Sequence, residues 1–436
     1  MTSASVTQRA EVDRCPGVIR PHRAADGALL RLRLPGGELR ASTLDMVSRA
    51  AARYADGALQ LTSRANLQLR GVATDDCGAV HPGLVDEIVR AGLLPHPSHE
   101  RIRNIVCSPL TGRLGGLADL RPLLRELDDR LCSTRELAGL PGPFLFVLDD
   151  GRGDVMTTAG DLGIVATDTR TARLVLGGLP AGPAMPIARA ADALIDLALR
   201  FLDLAAAGPG TWHVRDLPGG GRELLTDAHG QPHPEPPLPA TSAAVGLGEI
   251  EQDDGRVLVS TLAPLGLLTR EQAAVLVRAA ECGAGELVVT AWRGVIVPDL
   301  PTSAAVVAIR DLAAVGLGVD DGTVWRGLTA CTGAPRCTSG RGDTRILVTR
   351  IAWGRGSSAA SGEPATPVHV VGCDRRCGSP SGAHVEVLAA GDRVVVRGVA
   401  ADGSELALAA PSTIRAVDAA AAALRADLHA AEAGER

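Results

Sequence analysis

The cysteines of this chain divide by spacing into two kinds. Cys331-Thr-Gly-Ala-Pro-Arg-Cys337 and Cys373-Asp-Arg-Arg-Cys377 are two pairs, with five and three residues inside the pairs and 35 between them. Four thiolates so arranged are a ligand set, and tetrahedral sulfur ligation serves either zinc or an iron-sulfur cluster. Structural zinc usually shows two residues between paired cysteines. The wider gaps here suit the larger cube of a [4Fe-4S] centre, and Gly333, Pro335, Gly372 and Gly378 let the backbone wrap closely and aim N–H groups at sulfides. The spacing therefore predicts a [4Fe-4S] cluster on Cys331, Cys337, Cys373 and Cys377, with zinc as the alternative. Cys15, Cys77, Cys132 and Cys282 are isolated in sequence and are expected as small buried side chains. Nine cysteines, an odd number without dense spacing, argue against a disulfide framework.

The elements that must position these residues come in two copies. The strand-like Leu29-Leu30-Arg31-Leu32-Arg33-Leu34 precedes a helical stretch from Thr43 to Tyr54, then strands from Leu59 to Thr62 and Leu67 to Val72. The same order recurs in Val257-Leu258-Val259, a helix from Thr269 to Cys282, and strands from Glu286 to Thr290 and Val295 to Val297. Alternating apolar residues in the strands and three- to four-residue steps in the helices predict a sheet with helices on one face. Each copy continues into a helix, Val80 to Ala91 and Ser303 to Ala314, stopped by Gly92 and Gly316. A longer mixed segment follows each copy. The predicted fold class is α+β, internally duplicated. A ferredoxin-like half-domain spans 16–97, a first catalytic lobe 98–207, a linker 208–243, a second half-domain 244–322, and a second lobe with the cluster 323–430. The linker is expected from Gly219-Gly220-Gly221 and Pro232-His233-Pro234-Glu235-Pro236-Pro237. Gly354 to Pro367 reads as a flexible insertion and Ala416 to Ala433 as an Ala-rich helix.

Composition excludes several classes. The 436 residues are 46% hydrophobic and 22% charged, enough for two or three packed domains. Net charge is −6 without a basic block, which disfavours nucleic acid as a partner. No window approaches the roughly 18 apolar residues of a membrane span, and Met1 to Arg14 lacks a signal-peptide core, so a cytoplasmic protein is expected. No G-x-G-x-x-G follows a strand, so electrons must enter from outside the chain. Ser108 and Asp149-Asp150 lack the context of a hydrolase. Every basic side chain is Arg or His, because lysine is absent.

The C-x5-C, long gap, C-x3-C pattern resembles the cluster motif of siroheme-dependent nitrite and sulfite reductases, and the duplication agrees. Thr62-Ser-Arg-Ala-Asn-Leu-Gln-Leu-Arg70-Gly71 looks like that family's segment ending each sheet, and Arg103-Asn104-Ile-Val like its next anion-binding element. The stretches Cys15-Pro-Gly-Val-Ile-Arg20 with Asp26-Gly27, Thr62 to Gly71, and Arg103 to Gly112 are most similar to one branch, the precorrin-3B synthases of aerobic cobalamin biosynthesis. Where sulfite reductases carry two lysines after Leu-Pro, this chain has Leu140-Pro141-Gly142-Pro143-Phe144-Leu145. A small oxyanion would lose two cations there, whereas Arg64 and Arg103 suit a polycarboxylate, because guanidinium forks bind carboxylate in pairs.

The resemblance implies a monooxygenase that hydroxylates precorrin-3A and closes a lactone, using dioxygen and electrons from a reductase or ferredoxin. It also implies a non-haem iron near the substrate and, in the reductases, a siroheme bridged to the cluster by the last cysteine, here Cys377. A siroheme nitrite or sulfite reductase and a non-enzymatic tetrapyrrole-binding cluster protein are the alternatives. Candidate substrate contacts are Arg64, Asn66, Arg70, Arg103, Asn104, Arg375 and Arg376. Asn66 and Asn104 are the only asparagines, each suited to a tetrapyrrole substituent or to a local turn. His96 and His99 near Glu100, or His369 and His384, are considered for the iron. Cys107 occupies a position similar to Cys331 in the first lobe, where the other three cysteines have no counterparts, so one cluster per chain follows.

Overall fold

The computed structural model describes residues 13–206, 210–225, 245–354, 366–380, 382–391, 393–400 and 403–406. The expected insertion and C-terminal helix lie outside or almost wholly outside these residues.

Two antiparallel sheets form the first layer. One runs His22–Ala24, Gly27–Leu32, Leu67–Val72, Leu59–Leu61, Leu267–Leu268; the other runs Gly248–Glu251, Val257–Leu262, Gly294–Leu300, Glu286–Val289, Glu38–Arg40. Each sheet therefore ends on a short strand contributed by the other copy. Leu267 and Leu268 pair with Gln60 and Leu59, and Glu38 to Arg40 pair with Val288 to Glu286. The turns that deliver these strands, Pro35–Gly37 and Pro264–Gly266, place Gly36 and Leu265 at positive φ of 62° and 58°. Gly37 is required sterically as well, since a Cβ there would lie 2.0 Å from the Val289 carbonyl oxygen. The helices Ala41–Tyr54 and Arg270–Glu281 pack together over both sheets, so one apolar core serves both copies. Strand exchange was not legible in the sequence, because two- and three-residue strands carry no periodicity.

Each lobe is a mixed five-stranded sheet of the same design. Ile105–Cys107, Phe146–Asp149 and Leu162–Ala166 are parallel, followed by antiparallel Thr171–Leu176 and Leu179–Pro186. Leu328–Ala330, Val368–Val371 and His384–Ala390 are parallel in turn, followed by antiparallel Arg393–Val399 and Glu405–Leu406. Parallel strands covered on both faces read as continuous apolar runs, as Phe146-Val147-Leu148 does. Arg121–Ser133 and Ala190–Ala205 cover the first lobe, and Thr344–Gly354 the second.

The proposed linker begins later than its composition suggests. Residues 210–225 form two short 3-10 turns that bury Val214, Leu217 and Leu224 in the first lobe. Those apolar side chains outweigh the glycines around them. Of the isolated cysteines, Cys77 and Cys282 are exposed and Cys15 and Cys132 half-buried, correcting the expectation that all four are buried. Cys282 sits at a helix C-terminus, where half the circumference faces solvent.

Candidate functional site

Cys331 follows the strand Leu328–Ala330, and its N–H donates to the Val370 carbonyl (2.9 Å). Its sulfur accepts the Gly372 N–H at 3.2 Å, and Thr344 Oγ1 donates to its carbonyl at 2.7 Å. The Arg341 N–H donates to Gly372 O (2.8 Å), so the two cysteine loops brace one another. Beneath them His369, fully buried, meets Cys377 O through Nε2 (3.1 Å) and Thr329 Oγ1 through Nδ1 (2.7 Å). A carbonyl only accepts, so Nε2 carries the hydrogen and Nδ1 receives the Thr329 hydroxyl. Burial holds the ring neutral by pushing its pKa down to about 4.

The four sulfurs share one neighbourhood. Burial and then Cys373 and Cys337 push the Cys377 thiol up, and burial, with Cys377 contributing, pushes up Cys331. Yet no three of them come within 4.8 Å of one another. Zinc, with Zn–S near 2.3 Å, needs its sulfurs roughly 3.8 Å apart. This wider set fits a cluster better than a single ion.

The loop that carries Cys337 is anchored in the seam between the copies. Arg70 grips Asp26 with two hydrogen bonds (3.1 and 2.9 Å) and donates to Arg336 O (3.1 Å), one residue before Cys337. Arg336 pairs with Asp56. From the second copy, Arg293 lies beside Gly378, and burial pushes its guanidinium pKa down.

The structure redistributes the expected substrate contacts. Asn104 is buried and donates to Gly142 O (2.7 Å), Phe144 O (3.1 Å) and Arg101 O (3.3 Å). Its Oδ1 accepts from Asn66 Nδ2 (3.3 Å), while Asn66 Oδ1 accepts the Leu34 N–H (2.8 Å). The two asparagines are buried and staple the first half-domain to its lobe, so the structure gives both a role within the protein. Arg103 is spent on Asp128 (2.7 and 2.5 Å), Arg70 on Asp26, and Arg376 on Glu386 (3.2 Å) and Glu405 (2.9 Å). Of the five arginines in that set, Arg64 and the exposed Arg375 form no ion pair among the described residues.

Two cations that sequence reasoning passed over join Arg64. Arg31 and Arg33 alternate with leucines, so both leave the strand on the face opposite Leu30 and Leu32. That alternation was the available signal. Arg33 is 2% exposed; Nε and Nη2 donate to Arg101 O (3.3 and 3.2 Å) and Nη1 has no partner. Arg31 Nη2 donates to Gln68 Oε1 (3.0 Å), leaving Nε without one. Arg64 Nη1 donates to Pro143 O (2.8 Å). None of the three forms an ion pair among the described residues. Burial, and after it the repulsion of Arg31, lowers Arg33 to about 9, so it is still charged at neutral pH. Burial also lowers Arg31 and Arg64. The half-buried Cys15 lies within the field of all three.

The histidines considered for a mononuclear iron form no three-ligand group among the described residues, although the His96 and His99 rings lie 5.8 Å apart. His99 is spent on Ser98 Oγ (2.8 Å) and Thr134 O (3.1 Å), and Glu100 accepts the N–H groups of Val18, Ile19 and Arg20 (2.5, 2.8 and 3.2 Å). His384 Nδ1 meets Gly382 O (2.8 Å). Among the described residues only Asp149, Asp150 and Asp154 converge as three potential ligands, and Arg152 already bridges Asp150 and Asp154 (2.9 and 3.5 Å).

That acidic loop is the first lobe's counterpart of the cluster loop. Ser108 N–H donates to Leu148 O (3.0 Å) as Cys331 N–H does to Val370 O. The Asp150 N–H donates to Ser108 Oγ at 3.2 Å, as Gly372 N–H does to the Cys331 sulfur. Ser108, not Cys107, is therefore the equivalent of Cys331. Cys107 is one residue earlier and points into the apolar core, where burial raises its pKa well above the ordinary thiol value. At this position the first lobe carries a hydroxyl where the second carries a thiol.

The nitrite/sulfite reductase ferredoxin-like half domain matches the chain twice, over residues 20–85 and 250–315. The two matched stretches are the two copies of the repeat. The chain is 25% identical over 408 residues to a ferredoxin–nitrite reductase of Synechococcus elongatus, covering 83% of this chain and 76% of the relative. It is also 25% identical over 395 residues to a precorrin-3B synthase of Sinorhizobium, covering 88% and 83%. Mycobacterium tuberculosis NirA shares the fold with a TM-score of 0.72 at 19% identity, over 89% of this chain and 78% of NirA. This is therefore a duplicated α+β protein built on two nitrite/sulfite reductase-like half-domains. No helix among the described residues is long and apolar enough to cross a membrane.

Proposed function

We propose that the protein is an oxidoreductase that hydroxylates precorrin-3A with dioxygen and closes the lactone of precorrin-3B, taking electrons from an external reductase or ferredoxin. The observation that carries the reading is the face of Arg31, Arg33 and Arg64, three guanidiniums without carboxylate partners beside the lysine-free run Leu140–Leu145. Unpaired buried cations are costly unless a ligand supplies the charge, and planar donor forks match carboxylates better than a small oxyanion. Cys331, Cys337, Cys373 and Cys377 would hold a [4Fe-4S] cluster, which when bound passes electrons singly toward the substrate cleft. Arg70 and His369 hold the loops that carry those cysteines. Arg31, Arg33 and Arg64 bind and orient the acidic rim of the tetrapyrrole.

A mononuclear non-haem iron finds no pair of histidines with a carboxylate among the described residues, so no step is assigned to it. The second reading, a siroheme nitrite reductase, is favoured by the equal identity to the Synechococcus relative. Anaerobic purification followed by a visible spectrum, iron, sulfide and zinc analysis, and turnover assays separates the two. A broad cluster band without siroheme peaks and conversion of precorrin-3A to a hydroxylated lactone supports the synthase. Siroheme bands with nitrite or sulfite turnover overturn it, and zinc alone removes the redox reading altogether.

A further inference from the structure

His213 lies in the segment whose composition reads as linker, yet the fold builds it into a defined pair. Its Nδ1 sits 3.1 Å from both oxygens of Asp161, a carboxylate almost fully buried. Asp161 is itself fixed by two backbone donors, Leu145 N–H to Oδ2 and Val214 N–H to Oδ1, each at 2.9 Å. Asp216 holds the turn from the other side, accepting the N–H groups of Trp212 and His213 (3.0 and 2.9 Å). A carboxylate has only acceptors to offer, so Nδ1 carries its hydrogen toward Asp161 and Nε2 is left basic. Among the described residues Nε2 has no hydrogen-bond partner. It is also absent from the buried unpaired atoms, while the side chain as a whole is 17% exposed, so Nε2 reaches solvent.

The position of this pair gives it meaning. Asp161 receives its N–H from Leu145, and Arg64 donates to the carbonyl of Pro143, two residues earlier on the same lysine-free run. Asp161 and Arg215 are both close enough to act on the charge of Arg64. We propose that His213, oriented by Asp161, is a proton-transfer group at the Arg64 side of the substrate cleft. This rests on the reading of that face as the tetrapyrrole site, but not on which oxidant is reduced there.

Monooxygenation splits the O–O bond, places one oxygen on substrate carbon and releases the other as water. It consumes two electrons from the external donor and two protons per turnover. Nitrite and sulfite reduction likewise consume protons with every electron pair. Nε2 takes a proton from water and passes it inward, and Asp161 stabilises the imidazolium formed between the two transfers.

The test uses the full-length, cluster-loaded protein. His213→Asn keeps a donor in the place of Nδ1 and removes Nε2, and His213→Ala removes both. Both variants are expected to retain the cluster spectrum and the substrate Kd. Their kcat should fall on the order of 10²-fold or more, with KM little changed and partial rescue of His213→Ala by added imidazole. In parallel, diethyl pyrocarbonate labelling of His213 is followed by peptide mass spectrometry, with and without bound precorrin-3A or siroheme. Protection by the tetrapyrrole places Nε2 in the cleft. Labelling at the same rate with the ligand bound, or wild-type kcat in His213→Asn, overturns the proposal. If the wild type reduces nitrite or sulfite instead of converting precorrin-3A, the synthase reading fails, and the same kcat comparison on that reaction still decides the role of His213.

Discussion

Arg33→Met should make the ligand-free protein more stable and its binding of a polycarboxylate weaker, two effects of opposite sign from one side chain. Arg33 is buried without a carboxylate partner, and its Nη1 makes no hydrogen bond. Holding its guanidinium at about 9 instead of the ordinary 12.5 corresponds to roughly 4–5 kcal/mol of unfavourable charge burial, as an upper bound. Removing it also deletes two hydrogen bonds to Arg101 O, but that carbonyl keeps Asn104 Nδ2 at 3.3 Å, so the loss is at the low end of about 1–3 kcal/mol. A methionine fills most of the vacated volume. The net expectation is a gain of about 1–3 kcal/mol, read as a higher urea midpoint for the ligand-free protein. Binding of precorrin-3A, followed by absorbance titration, should lose about 2–3 kcal/mol, or roughly 30- to 200-fold in Kd. A variant that is less stable and binds as tightly as the wild type would refute the assignment of Arg33 to the ligand, because the charge would then be satisfied within the protein.

Cys337→Ser should abolish the cluster absorption and turnover together; full iron and sulfide content in that variant would sink the ligand assignment. Asn104→Leu leaves the Gly142 and Phe144 carbonyls and Asn66 Nδ2 without their partner. It should cost about 2–4 kcal/mol in urea unfolding, and a loss below about 0.5 kcal/mol would contradict the staple. Burial, opposed by Arg152, raises the Asp150 carboxyl to about 6, so the folded state binds its proton more tightly than the unfolded chain does. The stability this confers is complete below about pH 4 and lost as pH rises through 6; Asp150→Asn should flatten that part of the stability profile, and an unchanged slope would exclude Asp150 as its source.

Duplication and sheet-and-helix order were legible in the sequence because each is a local signal, as is the spacing on which the proposed cysteine ligand set rests. Periodicity reports which face of an element is buried, and ligand spacing reports what a loop can wrap. Asn66 and Asn104 were conspicuous for the same reason, but rarity in composition does not say whether a side chain meets a ligand or the protein. Most of their hydrogen bonds run to residues 32 to 40 positions away, and only the folded chain shows those partners. The carboxylate partners of Arg103 and Arg376, namely Asp128, Glu386 and Glu405, likewise show only in the folded chain.

What the sequence alone determined is the apolar patterning of two copies and the paired spacing of four cysteines in the second lobe, both set by residues near one another in the chain. What tertiary structure decided is which charges remain unpaired. Arg31, Arg33 and Arg64 become a candidate binding face only because none of them forms an ion pair among the described residues, and Ser108 becomes the counterpart of Cys331 only through the strand register. His213, in a run of glycine and proline, becomes a candidate proton carrier only when Asp161, 52 residues earlier, is folded against it. Pairing depends on distance in space, and chain order constrains that distance only weakly.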